Sequence, residues 1–406
     1  MKKCVVVGCG GRGINSYIKP ITNGHLSDVA RVVGIYDIVR ARATLCSKEY
    51  GDIPIYDDFD RMLSEAKPDF VIVTTIDSKH EEYIVRSLKQ GYDVISEKPM
   101  TTSRRSALEI MKAEKESGHK VRITFNMRYM KPFSDLKRII MDGAIGDVFH
   151  SDIVWFLDRK HGADYFRRWH RYLKNTNSLL IHKSTHHFDV ISWIMGNKEP
   201  RSVFARCFLD VYGKNGEYRA ECCHKCEYTE KCPFYFDLCA KEFYKKYYLD
   251  IEEESGYYRD GCVFSEDIDI FDRMCLNVTY RDGATLNYSL IAYAPDEGFK
   301  INLFGTKGRA ELTQYYSGPN KNDALKIKVY DLCGNEIIHE TSVLPGDHGG
   351  ADNLLRDDIF RGRSEDPLGQ IANSLAGYHS LAVGDMAVMS TRLGKEVFID
   401  ELSDLT

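Results

Sequence analysis

Over the first third of the chain, short, mostly apolar strand-like runs alternate with longer helix-like stretches. The runs at 3–7, 31–36, 70–74, 93–96 and 121–125 are too short for helices and rich in β-branched residues, which predicts strands buried on both faces. The stretches beginning near 13 and spanning 39–50, 79–90 and 103–117 predict helices. Strands separated by helices of this length pair in parallel through right-handed crossovers, so 1–125 reads as a doubly wound α/β sheet.

The pattern changes beyond 126. A polar, aromatic stretch leads to a predicted helix at 178–195. Shorter strand-like segments follow at 201–210, 275–280, 284–292, 300–304, 310–313 and 325–331. Strands with few crossovers predict a mostly antiparallel sheet, hence a second, α+β domain over 126–406 that closes with a helix at 370–390. A polar, cysteine-bearing insertion at about 217–262 interrupts it.

Composition narrows the classes. The chain has 406 residues, 43% of them apolar, which suits two or three domains and excludes a mostly disordered chain. A net charge of −5 lacks the basic footprint of a dedicated nucleic-acid binder. No apolar run approaches the roughly 20 residues that cross a bilayer. Residues 1–3 imitate the basic start of an export signal, but Gly8 and Arg12 arrive before any apolar region develops. The expectation is a cytoplasmic protein with neither membrane nor nucleic-acid partner.

The first predicted strand runs into Gly8-Cys9-Gly10-Gly11-Arg12-Gly13, in which Gly8, Gly10 and Gly13 have GxGxxG spacing ahead of a helix. In that spacing the first glycine permits the turn, the second lets backbone approach a pyrophosphate, and the third lets helix pack on strand. Gly11 and Arg12 open the helix, whose free N–H groups suit phosphate. Asp37 ends the second strand, where an acceptor for a ribose 2′-hydroxyl belongs. The sheet is therefore expected to be of the Rossmann type and to bind NAD; Arg40 and Arg42 leave NADP open.

Ile95-Ser96-Glu97-Lys98-Pro99, taken with the glycine turn, Asp37 and His80, resembles the Gfo/Idh/MocA oxidoreductases. So do Asn126-Met127-Arg128-Tyr129, the stretch from Gly143 to Asp147, and Phe304 to Gly308. The resemblance implies that Lys98 stands at the nicotinamide and substrate, with Glu97 beside it and the loop bearing Thr75 and His80 along the cofactor. Asp77 or Ser78 in that loop equally reads as a helix cap. The family's second motif, Asp-x-x-x-His-x-x-Asp on a helix, is met here by His182, His186 and Asp189, so an imidazole replaces the first acid. Two readings stay open. His186 is a general base with His182 at the substrate, or the two histidines, one helical turn apart, hold a divalent metal with His348, Asp352 or His161 as third ligand. A homo-oligomer, dimer or tetramer, is implied by the resemblance alone.

Tyr165-Phe166-Arg167-Arg168-Trp169-His170-Arg171 offers rings to stack on sugars and guanidiniums for hydroxyls or carboxylates, though it also suits a domain or subunit interface. Arg128, Tyr165, Arg168 and Trp169 are the expected substrate contacts. Among 12 cysteines, Cys223, Cys226 and Cys232 have C-x2-C-x5-C spacing; with Cys262, or with Cys239, Cys222 or His224, they would complete a tetrahedral site. Structural zinc is expected, with an iron–sulfur cluster or free thiols as alternatives. The chain thus reads as an NAD(P)-dependent oxidoreductase acting on a secondary alcohol of a sugar, polyol or glycoside, with Lys98 and His186 flanking the reacting carbon. Two alternatives accompany it: a glycoside-cleaving enzyme that uses NAD transiently without net redox, and a non-catalytic nucleotide sensor.

Overall fold

The computed structural model describes residues 1–401. The five predicted parallel strands form as β1 (Lys2–Val7), β2 (Ala30–Tyr36), β3 (Phe70–Val73), β4 (Asp93–Ser96) and β5 (Val121–Ile123). Beyond them come β6 (Val148–Asp158), β7 (Pro200–Phe208), β8 (Arg273–Tyr280), β9 (Thr285–Ala294), β10 (Gly298–Gly305), β11 (Gly308–Tyr315), β12 (Ala324–Asp331) and β13 (Glu336–Ser342), then two short strands, β14 (Ala372–Asn373) and β15 (Val397–Phe398).

The first sheet has the order β14-β5-β4-β3-β1-β2, parallel except for β14. The order reverses beside β1, and the carboxyl ends of β1 and β3 open the crevice where doubly wound sheets bind ligands. The second sheet has the order β13-β12-β11-β10-β6-β9-β8-β7-β15 and is antiparallel apart from the β6–β9 pair. A Rossmann-type parallel sheet and a mostly antiparallel partner match the expected fold class.

Three features differ from the sequence reading. The central strand β6 was not predicted. It alternates Val148, Ser151, Ile153, Trp155 and Leu157 inward, but His150, Ser151 and Asp152 break its apolar signal. A helix at Phe59–Ala66, capped by the Asp58 carboxylate on the Arg61 N–H, fills the crossover between β2 and β3. The helix expected over 178–195 is two pieces, Leu179–His182 and Ser184–Ile194, broken at Lys183.

One face of the second sheet is covered by helices, including Ser374–Leu393, which also packs on Arg104–Ser117 of the first sheet's layer. Arg104, buried there, bonds the Asp385 carboxylate at 2.7 Å and the Phe398, Ile399 and Glu401 carbonyls. This ion pair ties the helix layers of the two domains together. The opposite face of the second sheet leaves Val154, Phe204, Phe208 and Tyr293 exposed.

Candidate active site

The glycine turn has the shape its spacing demands. Gly8 has a φ of +96°, and a Cβ there would lie 2.8 Å from the Thr74 carbonyl oxygen. A Cβ on Gly13 would lie 2.1 Å from the Gly8 carbonyl oxygen, so helix and strand meet only because no side chain intervenes. The Asp37 carboxylate accepts the Cys9 and Val39 N–H groups at 2.7 and 2.8 Å and lies 3.4 Å from Arg42. Oδ2 takes one donor and Oδ1 two, which leaves acceptor capacity for ribose hydroxyls. These residues fit a dinucleotide: Gly8, Gly10, Gly11, Arg12 and Gly13 would receive the pyrophosphate, and Asp37 the adenosine ribose.

From this turn a cleft of about 740 Å³ runs between the two sheets. Its walls include Arg12, Thr75, His80, Glu97 and Lys98 from the first domain, and Tyr165, Arg168, Trp169, His182 and His186 from the second. These ten residues, all singled out in the sequence, therefore line one cleft. His80 braces the loops around Lys98, with Nδ1 2.7 Å from the Pro99 carbonyl and Nε2 3.1 Å from that of Thr75. The Arg12 guanidinium bridges Glu97 at 2.8 Å and Asp352 at 3.0 Å, and Tyr17 donates to the same Glu97 oxygen at 2.7 Å.

The helix break at Lys183 has a chemical consequence. The His186 N–H bonds the Lys183 carbonyl at 3.3 Å, and the His182 carbonyl instead accepts the Lys98 ammonium at 2.8 Å. Burial pushes the Lys98 ammonium down to about 8, against the pull of Asp77 and Glu97. His182 has a carboxylate after all: Asp77, at the head of the loop after β3, lies with Oδ2 2.7 Å from His182 Nδ1. Burial pulls the Asp77 carboxyl up, but His182 outweighs it and leaves the group below its ordinary range. Burial holds His182 down to about 4, with Asp77 pulling the other way. Thr176 donates to the same Asp77 oxygen at 2.6 Å, which fixes the carboxylate. An ionised Asp77 accepts the proton of Nδ1, so His182 presents Nε2 as the lone pair toward the cleft.

His186 has no carboxylate partner. Its Nδ1 is buried without a hydrogen bond among the described residues, and burial, then Lys98, hold its imidazole well below the ordinary value. The motif's other acid, Asp189, grips Arg128 through both oxygens at 2.8 and 2.6 Å. Arg128, expected at the substrate, is thus buried in that pair and does not line the cleft. Neither histidine belongs to a group of three ligand atoms within 4.8 Å among the described residues. Of the expected third ligands, His348 and Asp352 bond each other and His161 bonds Glu297.

Three cleft groups went unread in the sequence. His170 stacks on Trp169 with ring centroids 3.7 Å apart and lies 4.0 Å from His182. Lys183, exposed to the cleft by the helix break, is pushed down by burial. Gln314, on β11, is fully buried with neither amide atom paired among the described residues. Two of them carried a signal, Lys183 between two motif histidines and His170 within the aromatic, basic segment; Gln314 carried none.

The cysteines form a second site, in the insertion between β7 and β8. Cys223, Cys226, Cys232 and Cys262 border one cavity of about 20 Å³. A bridge between Cys222 and Gly261 sets Cys223 beside Cys262. The Cys226 N–H bonds the Cys223 carbonyl at 3.1 Å, and the Tyr228 and Phe264 N–H groups point at the Cys226 and Cys262 sulfurs at 3.3 and 3.4 Å. Cys222, His224 and Asp260 bring ligand atoms within 4.8 Å of one another. Asp260 there already bonds the His224 ring and backbone at 2.9 Å each.

Residues 2–125 match the Gfo/Idh/MocA model described as an oxidoreductase family with an NAD-binding Rossmann fold, and residues 137–399 match the family's C-terminal alpha/beta domain. The chain belongs to the Gfo/Idh/MocA oxidoreductase family. It is 36% identical over 99% of both chains to a Bacillus subtilis (strain 168) protein named "Putative oxidoreductase YteT". It is 30% identical to inositol 2-dehydrogenase of Gluconacetobacter diazotrophicus, over 47% of this chain and 53% of that one. Among solved structures, it resembles the Bordetella pertussis WlbA dehydrogenase in complex with NADH and UDP-GlcNAcA, with a TM-score of 0.66 at 18% identity over 97% of this chain and 98% of that one. Aldose-aldose oxidoreductase of Caulobacter crescentus, complexed with glycerol, gives 0.64 at 17% over 98% and 99%. At family level the protein is an oxidoreductase with an NAD-binding domain. No helix among the described residues is long and apolar enough to cross a membrane.

Proposed function

We propose that this oxidoreductase moves hydride between NAD and a secondary alcohol of a sugar, polyol or glycoside, in the cleft between the 1–125 and 126–406 domains. One observation carries the reading: an ammonium, Lys98, and a carboxylate-backed imidazole, His182 on Asp77, converge from different domains on a cleft that begins at the dinucleotide turn. Bound nicotinamide supplies the acceptor or donor of hydride. His182 Nε2 takes the hydroxyl proton in the oxidative direction, and Asp77 stabilises the imidazolium that results. Lys98 stabilises the alkoxide character that develops on the oxygen. His186, neutral and without a carboxylate, orients the substrate through a hydrogen bond. Tyr165, Trp169 and Arg168 offer rings and a guanidinium to the remainder of the sugar. In the relatives, inositol 2-dehydrogenase and aldose-aldose oxidoreductase name polyol and sugar substrates, which supports this class.

The test is a panel of sugars, polyols and glycosides with NAD, followed by NADH absorbance and product analysis. Lys98→Met should lose turnover and still bind NADH. Full turnover in that variant refutes the role of Lys98. Product formed without net NADH would replace the dehydrogenase with the glycoside-cleaving reaction.

We also propose that Cys223, Cys226, Cys232 and Cys262 hold a structural zinc. The four cysteines border one cavity, but no three of their sulfurs lie within 4.8 Å of one another among the described residues, so their loops would have to close on the ion to make Zn–S bonds of about 2.3 Å. The N–H groups aimed at two of the sulfurs suit thiolates. Metal analysis of the full chain should find stoichiometric zinc that Cys226→Ser loses; zinc-free protein with the same stability refutes the site. The exposed apolar face of the second sheet supports a homo-oligomer, and the buried free thiols of Cys4, Cys9, Cys46 and Cys207 suit a reducing cytoplasm.

A further inference from the structure

The insertion does more than carry cysteines: its far end lies on the dinucleotide turn. The helix Glu242–Tyr247 leads to Tyr248, whose hydroxyl accepts the Gly11 N–H at 3.0 Å. That N–H is one of the donors that the glycine turn offers to a pyrophosphate. Around Gly10 and Gly11, the atoms a Cβ would meet within 4 Å belong only to this insertion: the Tyr248 hydroxyl at 3.8 and 3.5 Å and the Phe243 ring at 3.7 Å. The contact continues toward the adenosine end. The Arg42 guanidinium, already on Asp37, lies 5.5 Å from the centre of the Tyr248 ring. Glu254 accepts the Ala41 N–H at 2.8 Å, in the first turn of the helix Arg40–Glu49 that follows Asp37. Tyr247 and Lys246 both bond Glu49 at the end of that helix.

A 2′-phosphate needs cations or free N–H groups at the end of β2. Here each candidate is engaged. Arg40 pairs with Asp57, Arg42 with Asp37, and the Ala41 N–H with Glu254. Asp37 follows β2 directly, and the Glu254 carboxylate sits on the N–H of Ala41, four residues later. The Tyr248 hydroxyl accepts at Gly11 and keeps its own proton, so it can donate to an incoming phosphate oxygen as it gives up the N–H.

We propose that the insertion is a latch on the nucleotide groove: Tyr248, seated on the Gly11 N–H, must shift for a dinucleotide to enter or leave, and Glu254, seated on the Ala41 N–H in the segment that follows Asp37, turns away dinucleotides that carry a 2′-phosphate. The ligand class is a dinucleotide with a free 2′-hydroxyl. This rests on the nucleotide reading of the glycine turn, and does not depend on zinc.

The experiment uses the full chain and reads nucleotide binding, not turnover. NADH and NADPH affinities come from fluorescence titration, and NADH release from stopped-flow displacement by excess NAD. Loss of one hydrogen bond and its ring cover in Tyr248→Ala should speed NADH release about tenfold. Tyr248→Phe, which keeps the ring, should speed it about threefold and serves if the alanine variant does not fold. Glu254→Gln should raise NADPH affinity relative to NADH about tenfold while NADH affinity stays nearly level. Release at the wild-type rate in both tyrosine variants overturns the latch. An unchanged NADPH-to-NADH ratio in Glu254→Gln overturns the exclusion. Wild-type protein that binds neither nucleotide fails the nucleotide reading itself, a result distinct from either.

Discussion

Asp77 provides the sharpest test of the site, because it lies 105 positions from the histidine it supports and, among the described residues, its carboxylate bonds Thr176 and the His182 ring. Asp77→Asn keeps the side chain's shape and removes its charge. At 2.7 Å, Oδ2 stands at charge-assisted hydrogen-bond distance from His182 Nδ1, and burial keeps water from replacing it. A hydrogen bond to a charged group contributes about 1.5–3 kcal/mol, which at 1.36 kcal/mol per tenfold is a loss of roughly 10- to 150-fold in kcat/KM. An asparagine that turned its amide N–H toward Nδ1 would also select the wrong tautomer and deepen the loss. The charge matters only as the imidazolium forms, so the loss should fall on kcat, with NADH affinity and the substrate KM near wild type.

The assay is steady-state NADH formation on the best substrate of the panel, beside NADH titration of each variant. His182→Asn should cost at least as much as Asp77→Asn. The double variant should be no worse than His182→Asn alone, since the carboxylate acts only through the ring. Asp77→Asn within threefold of wild type, or full additivity in the double variant, would refute the dyad and return the base to His186.

The remaining predictions concern pH, packing and the glycine turn. Because Lys98 is held down to about 8, kcat/KM for oxidation should fall as pH rises through about 8 and the ammonium is lost. His182 is neutral in the folded state down to about 4 while an unfolded histidine takes a proton near 6.5, so unfolding binds protons and stability drains as pH falls through that window. For this one group the drop from pH 7 to 5 is about 2 kcal/mol, read as a lower melting temperature, and a flat profile would contradict the burial. Arg104→Ala leaves Asp385 buried without its 2.7 Å partner and should cost about 3–5 kcal/mol in denaturant unfolding. Gly13→Ala drives a Cβ to 2.1 Å from the Gly8 carbonyl and should abolish NADH binding; wild-type affinity would show that the turn does not hold the nucleotide.

The first sheet was legible because its strands are buried on both faces and read as mostly apolar runs, and because the glycine spacing answers a steric demand visible in Gly8 and Gly13. The second sheet was legible only where one face is wet and the other dry. β6 hid because Ser151 turns inward and His150 and Asp152 stand beside it. The helix break at Lys183 left no mark either: 178–195 keeps a helical pattern, and what interrupts it is a contact with Lys98, a residue 84 positions earlier than His182. A local pattern cannot show a competitor supplied by another domain.

The same reasoning explains the missing acid. A helix motif with Asp in place of His182 would carry base and carboxylate on one element, and the substitution reads locally as a loss. In the folded protein the carboxylate arrives from the other domain, on the loop after β3, next to the loop that carries Lys98. The proton-handling pair is therefore split across the cleft and is complete only when the two domains stand as they do here. That gives the buried Arg104–Asp385 tie between the layers a role in catalysis at one remove. An interface that loosened by an ångström would part Asp77 from His182 and Lys98 from the His182 carbonyl together, and would cost activity before it cost the fold.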